Sequence, residues 1–411
     1  MPPVKKKKKE ESLKNAFGRS EFAGAMGDLG TTIPLAFLLV TSVGSPAARI
    51  FFLWGLAYIA VGWYYKVPVS VQPLKAMTVI AVTTGLSSNL LSSTAVLYGL
   101  LFIVLAATGL ITWLHRWFSK ALIRGIQIGI GLLLAYKSWE LISRHTLFLN
   151  GSGDIGYWTY LLAAAVLAIL LFSFRRLNRT AALELIVVCI AISFLIGVSA
   201  VPAGGSGSAW QWTLPDWSPW WNIVALLVIP QLPLTLGNAV YAANDACHEF
   251  WPDRSEKVSI TKLASTIGLI NVVIGLFGGF PICHGAGGIA AHKRFSAQSG
   301  GAVIIIGALF VSIALSGSLS TVLFLIPIPV LGVLLLFDSW QMITFAFRQE
   351  QVNQIAVALT VGVLSFATHN LTIALLVGLL FEWGLNFWSV KLRLPDWIGR
   401  LYESGRSKME L

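Results

Sequence analysis

The sequence predicts an all-α polytopic membrane protein of fourteen spans, arranged as a seven-plus-seven inverted repeat. Three observations predict it: recurring apolar runs, basic residues confined to alternate loops, and two internal echoes seven spans apart. The 411 residues are 56% hydrophobic and 11% charged, whereas soluble domains carry about 25% charged residues. Each apolar run is near the ~20 residues needed to cross a hydrocarbon core of about 30 Å.

Taken in order, the spans fall at 22–41, 47–65, 67–86, 93–113, 119–142, 157–174, 181–199, 222–247, 258–279, 280–295, 300–317, 320–345, 352–368 and 370–390. With the N-terminus inside, the even-numbered loops should be basic. They carry Arg116, Lys120 and Arg124, then Arg175, Arg176 and Arg179, then Arg254 and Lys257, then Lys293 and Arg294, then Arg348. The odd loops hold little beyond Arg49 and Arg144. Residues 1–21, with the run Lys5–Lys9, read as a cytoplasmic tail rather than a signal peptide, because no apolar core follows the charges. The net charge of +11 is accounted for by this inside bias, so no nucleic-acid partner is expected.

The first seven-span repeat is 22–199 and the second 222–390. Between them, 200–221 carries Trp210, Trp212, Trp217, Trp220 and Trp221 and reads as an external, interfacial linker. Residues 391–411 form a second cytoplasmic tail, too short for a soluble regulatory domain. Both termini are thus expected inside, most simply at the plasma (inner) membrane, with the lipid bilayer as solvent and a homodimer as an assembly open to the fold.

Gly131-Leu-Leu-Leu-Ala-Tyr-Lys-Ser-Trp139 recurs as Gly332-Val-Leu-Leu-Leu-Phe-Asp-Ser-Trp340. A weaker echo sets Val67–Val71 over Phe280–His284. Seven is odd, so the two copies point in opposite directions, the inverted architecture of many secondary transporters. By the same inversion Lys137 and Asp338 lie at opposite membrane faces, too far apart to pair, and both read as interfacial.

The third and tenth spans are the unusual ones. Residues 67–71 and 280–283 read as extended; short helices follow, one from near Gln72-Pro73 and one from Gly285-Ala-Gly-Gly288. One span enters from inside and the other from outside, so both short helices begin near the midplane with their N-termini opposed. Irregular backbone at that depth survives only where it lines a cavity or is covered by protein. Two helix starts together supply roughly one unit of positive charge and free N–H groups, which favours an anion. The glycines allow close approach to the backbone, and Lys75 adds a full charge at a depth where a lone cation is costly.

Asp28, in Gly27-Asp-Leu-Gly-Thr-Thr-Ile-Pro34, is an intramembrane acid in a segment that Pro34 is expected to break, which makes it a proton-carrier candidate. The eighth span carries Pro230-Gln-Leu-Pro-Leu-Thr-Leu-Gly-Asn238; Gln231, Thr235 and Asn238 suit either oxyanion hydrogen bonding or helix–helix contact. Cys247-His248 and Cys283-His284 read as small buried pairs rather than metal ligands, Cys189 stands alone, and no metal or cofactor is expected. No HExxH, GxSxG or paired catalytic carboxylates occur, so the sequence does not read as an enzyme.

Gly27–Pro34, Val71-Gln-Pro-Leu-Lys-Ala76 and Phe280-Pro-Ile-Cys-His-Gly-Ala-Gly-Gly-Ile289 resemble the motifs of the molybdate transporter family, a branch of the sulfate permease superfamily lacking the cytoplasmic regulatory domain. Gln298 stands where that family commonly has Arg, and Thr32 where an aromatic is common. The resemblance implies the fold also seen in uracil permeases, with a core from 22–114 and 222–317 and a gate from 119–199 and 320–390. It implies an oxyanion, molybdate or sulfate, bound between the two short helices. The residues expected around it are Gln72, Lys75, Gln231, Thr235, His284, Gly285, Ala286, Gly287 and Gly288. Moving a dianion in against an inside-negative potential makes proton-coupled import the expectation, with Asp28 as the coupling candidate. A nucleobase–proton symporter on the same fold would usually want a carboxylate where Gln231 stands. An anion channel is the other alternative.

Overall fold

The computed structural model describes residues 14–115, 118–148, 154–175, 181–195, 218, 220–316, 325–346 and 352–387. The first part of the chain forms α1 (Arg19–Val43), α2 (Ala47–Tyr65), strand β1 (Val71–Pro73), the short α3 (Lys75–Thr84), α4 (Ser88–Thr108), α5 (Leu110–His115), α6 (Lys120–Ile142), α7 (Trp158–Arg175) and α8 (Ala181–Leu195). The second forms α9 (Trp220–Phe250), α10 (Ile260–Leu276), strand β2 (Ile282–His284), the short α11 (Ala286–Arg294), α12 (Gly301–Leu315), α13 (Ile328–Ala346), α14 (Val352–Thr368) and α15 (Leu371–Phe387).

Local chemistry sets these boundaries. Ser87, Ser119 and Ser259 each accept a backbone N–H from three residues on and so cap α4, α6 and α10, satisfying donors that a helix start leaves open. Gly44, Gly85 and Gly109 end α1, α3 and α4 with φ of 71°, 68° and 72°, the left-handed stop that glycine adopts without steric cost. Four helices, α2, α4, α6 and α9, are long and apolar enough to cross a membrane; the other apolar helices identified among the described residues are shorter.

The two parts of the chain interlock. α2 packs along α12 and α4 along α10, while α6 packs on α13 and α14. Small residues bring the backbones together: a Cβ on Gly99 would lie 2.6 Å from Gly268 O, and one on Gly55 2.8 Å from Gly307 O. Such small-residue contacts are how helices associate where lipid removes the hydrophobic driving force between them. The Gly131/Gly332 echo is a reciprocal contact between α6 and α13: Ser138 Oγ donates to Gly332 O and Ser339 Oγ to Gly131 O, both at 2.7 Å.

Several expectations need correction. Pro34 does not break its helix, since α1 runs through it; prolines are tolerated in membrane helices where neighbours re-satisfy the freed backbone. α1 also begins before residue 22, and the expected tail residue Glu21 is buried at 1% exposure. Its carboxylate accepts from Gln298 N (2.9 Å), Ser299 N (3.1 Å) and Ala302 N (3.2 Å) at the start of α12. Gln72 and Pro73 lie in β1 rather than in the following helix, which starts at Lys75. The strand-and-helix units match Val71 to Ile282, two residues away from the register of the weaker echo. Asp338 is buried rather than interfacial, and Lys137 pairs with Glu140 at 2.7 Å. The 200–221 linker apart from its last residues, the 391–411 tail and residues 1–13 lie outside the described residues.

Candidate functional site

β1 and β2 pair antiparallel, with Val71 opposite His284, Gln72 opposite Cys283 and Pro73 opposite Ile282. Each strand runs within two residues into its short helix, so α3 and α11 leave opposite ends of the paired strands, each with its N-terminus at the crossing. Pro73 fits here because it has no N–H to leave unsatisfied, and Leu74 N continues the pairing to Pro281 O at 3.1 Å.

A shell of buried polar groups fixes this crossing. Asn271, fully buried in α10, clamps β2 twice: its Nδ2 donates to Ile282 O (2.7 Å) and its Oδ1 accepts from Ile282 N (2.8 Å). Trp54 Nε1 donates to Phe280 O at 2.9 Å. His284 is buried with both ring nitrogens engaged, Nδ1 with Ser70 O (3.1 Å) and Nε2 with Thr266 Oγ1 (2.9 Å). Because a carbonyl only accepts, Nδ1 carries the proton. Tyr65 OH joins Thr266 at 2.8 Å. His284 therefore holds the strand in place, and its nitrogens are not turned to the space between the helices.

The helix starts differ in how many donors they leave open. In α11 the first helical hydrogen bond is Ile289 N to Gly285 O (3.0 Å), which leaves the N–H groups of Ala286, Gly287 and Gly288 without partners among the described residues. A Cβ on Gly287 would meet nothing within 4 Å, whereas one on Gly285 would fall 2.5 Å from Gln72 Oε1. The side chain of Gln72 thus covers Gly285, and Gly287 faces open space. In α3 the first helical bond is Thr78 N to Leu74 O (2.8 Å), and Met77 N donates to Gln231 Oε1 at 3.2 Å. Among the described residues, the N–H groups of Lys75 and Ala76 are the ones left open there.

Lys75 is half-buried at the first turn of α3. Gln231 and Thr235 are buried on α9, with Gln231 Nε2 donating to Thr235 Oγ1 (3.0 Å) and Tyr98 OH donating to the same oxygen (2.7 Å). α9 is π-helical over Ile223–Val228 and Thr235–Ala242, on either side of the stretch carrying Pro230, Gln231 and Pro233; such turns recur at functional sites. Asp28 lies in α1, which packs against α3, α11 and β1, and its side chain is outside the described set. Tyr98, Asn271 and Thr266 were not singled out from sequence. The available signal was a polar residue within an otherwise apolar helix. Among the described residues no three His, Cys, Asp or Glu side chains come together as a metal site would need.

A family model described as "Molybdate transporter of MFS superfamily" matches residues 20–134 and 224–342, which include both short helices. Molybdate transporter 2 of Arabidopsis thaliana is 28% identical over 381 residues, covering 83% of this chain and 81% of the relative. The transmembrane domain of a cyanobacterium bicarbonate transporter, BicA, superposes with a TM-score of 0.61 at 15% identity, covering 89% of this chain and 97% of that one. Murine Solute Carrier 26 family member A9, an anion transporter in the inward-facing state, superposes at 0.66 with 14% identity, covering 91% and 69%. At these identities the two structures establish a shared membrane-transporter fold.

Proposed function

Because the chain belongs to the molybdate transporter family, we propose that it is a secondary active transporter importing a tetrahedral oxyanion, molybdate or sulfate, bound between the starts of α3 and α11. The observation that supports this reading is the β1–β2 crossing, from whose two ends α3 and α11 start, with Lys75 and five backbone donors that have no partner among the described residues. Oriented N–H groups and the positive helix ends match an oxyanion without needing a counter-ion from solvent. Gln72, His284 and Gly285 shape the site, Ala286, Gly287 and Gly288 offer donors, and Gln231 and Thr235 hold the start of α3.

The exchanged pairs α2–α12 and α4–α10 and the reciprocal Ser138 and Ser339 bonds support a seven-plus-seven inverted repeat of fourteen spans. In that arrangement 22–114 and 222–317 form a core that carries the site and 119–199 and 320–390 form a gate, with both termini cytoplasmic. Import of a dianion against an inside-negative potential of about 100 mV is opposed by roughly 4.6 kcal/mol, twice the single-charge figure. Two co-transported protons cancel that term, and Asp28, in the helix beside both short helices, is the carrier in this reading.

Uptake into liposomes holding the purified protein tests the proposal. Molybdate and sulfate are expected to accumulate saturably and faster with an inward proton gradient, and uracil is not. Uracil uptake without oxyanion uptake would overturn it, and non-saturating oxyanion flux would indicate a channel.

A further inference from the structure

Gln231 has its carboxamide orientation fixed by its neighbours. Met77 N can only donate, so the atom it meets at 3.2 Å is the oxygen, Oε1. The nitrogen then faces Thr235 Oγ1 at 3.0 Å, and Tyr98 OH holds that hydroxyl from the other side at 2.7 Å. All three side chains are buried, so water does not compete for these bonds. One amide hydrogen goes to Thr235; the second has no partner among the described residues. The whole amide lies within one turn of the α3 start, the third residue of that helix being its partner.

We propose that Gln231 makes the site selective for tetrahedral oxyanions that carry no proton, over hydrogen phosphate and hydrogen arsenate, by turning its acceptor onto α3 and leaving its donor end for the ligand. This rests on the reading of the space between α3 and α11 as the oxyanion site. The open backbone groups of Lys75, Ala76, Ala286, Gly287 and Gly288 are donors, and the Lys75 ammonium has no acceptor either; the Gln72 amide oxygen lies against Gly285 and that side chain is already engaged. Molybdate and sulfate present only acceptors to such a set. Hydrogen phosphate brings one O–H, which needs an acceptor, and an O–H left unpaired in a dry site is penalised. Size and charge do not explain the choice, since hydrogen phosphate and sulfate are both tetrahedral dianions of similar radius.

The test uses the full chain in liposomes and measures inhibition of labelled molybdate uptake at mildly alkaline pH, where inorganic phosphate is mainly the hydrogen phosphate dianion. Monofluorophosphate and hydrogen phosphate are compared as inhibitors: both are dianionic and tetrahedral, and only the second carries a proton. Monofluorophosphate is expected to inhibit at a concentration at least about ten-fold lower, the direction set by unpaired polar groups in a site built for hydrogen bonding. Gln231→Glu, which keeps an oxygen on Met77 and replaces the amide with an acceptor, should narrow that gap, and Gln231→Met should narrow it too. Equal inhibition of wild type by the two anions would overturn the proposal, as would a gap unchanged in both variants. The wild-type comparison stands even if either variant fails to fold. If wild type takes up neither molybdate nor sulfate, the functional reading fails instead, so the two failures are distinct.

Discussion

The two short helices that meet at the strand crossing are built alike and finished differently. α11 opens on Gly285-Ala-Gly-Gly, keeps three N–H groups open and faces empty space at Gly287. α3 opens on Leu74-Lys-Ala-Met, gives one of its three comparable N–H groups to Gln231, and adds the charge of Lys75 instead. The difference teaches that a symmetric scaffold carries an asymmetric site: close backbone contact on the α11 side, charge and side-chain control on the α3 side.

The largest expected effect comes from closing the open side. Gly287→Val has room in the protein, so it should fold and insert, yet its branched side chain would occupy the ligand's place. Oxyanion affinity should fall about a hundred-fold, the scale of losing an oxyanion donor in a dry site, as read by equilibrium binding to purified protein. Near-normal affinity would break the comparison.

On the other side, Lys75→Ala should weaken binding about ten-fold, in keeping with a charge-assisted hydrogen bond of about 1.5–3 kcal/mol. Lys137→Ala serves as its control, because Lys137 is engaged with the partly exposed Glu140, and surface pairs contribute about 0–1 kcal/mol. A larger loss at Lys137 would mean the site is misplaced.

Asp28→Asn separates binding from coupling. Affinity should stay within about two-fold, while the acceleration of uptake by an inward proton gradient should vanish; this follows from removing titration and keeping shape. Full proton-driven accumulation by the variant would make Asp28 structural. The smallest effect is expected at the support shell. His284→Ala removes the buried hydrogen bonds to Ser70 O and Thr266 Oγ1 and should lower stability by about 1–3 kcal/mol, seen as a reduced melting temperature that saturating molybdate partly restores.

Much of this was legible in the sequence because it depends on local pattern. Helices over much of the described chain followed from apolar length, four of them long and apolar enough to cross a membrane, and the two half-helices followed from proline, β-branched residues and glycines at matching places. The Gly131–Trp139 and Gly332–Trp340 echo was visible, but that its two copies pack on each other reciprocally is seen only in the structure. What was not legible depends on partners distant in the chain. Nothing local shows that Pro73 sits in a strand, because only its pairing with Ile282 decides that. Gln231 looked like a ligand contact, and its bond to Met77 N appears only once α9 lies against α3. His284 looked available until Ser70 and Thr266 took both nitrogens. Asp338 read as interfacial from its position in the span, and packing of α13 buries it.

The central claim, that the oxyanion rests on the open backbone donors of α11, is tested most directly at those donors. Selective 15N-glycine labelling of the purified protein, with assignments from single-glycine variants, allows the amide protons to be followed during a molybdate titration. The account predicts saturable downfield shifts at Gly287 and Gly288, with Gly55 and Gly307 in the α2–α12 contact unchanged. Saturable molybdate binding that leaves Gly287 and Gly288 unmoved would contradict it.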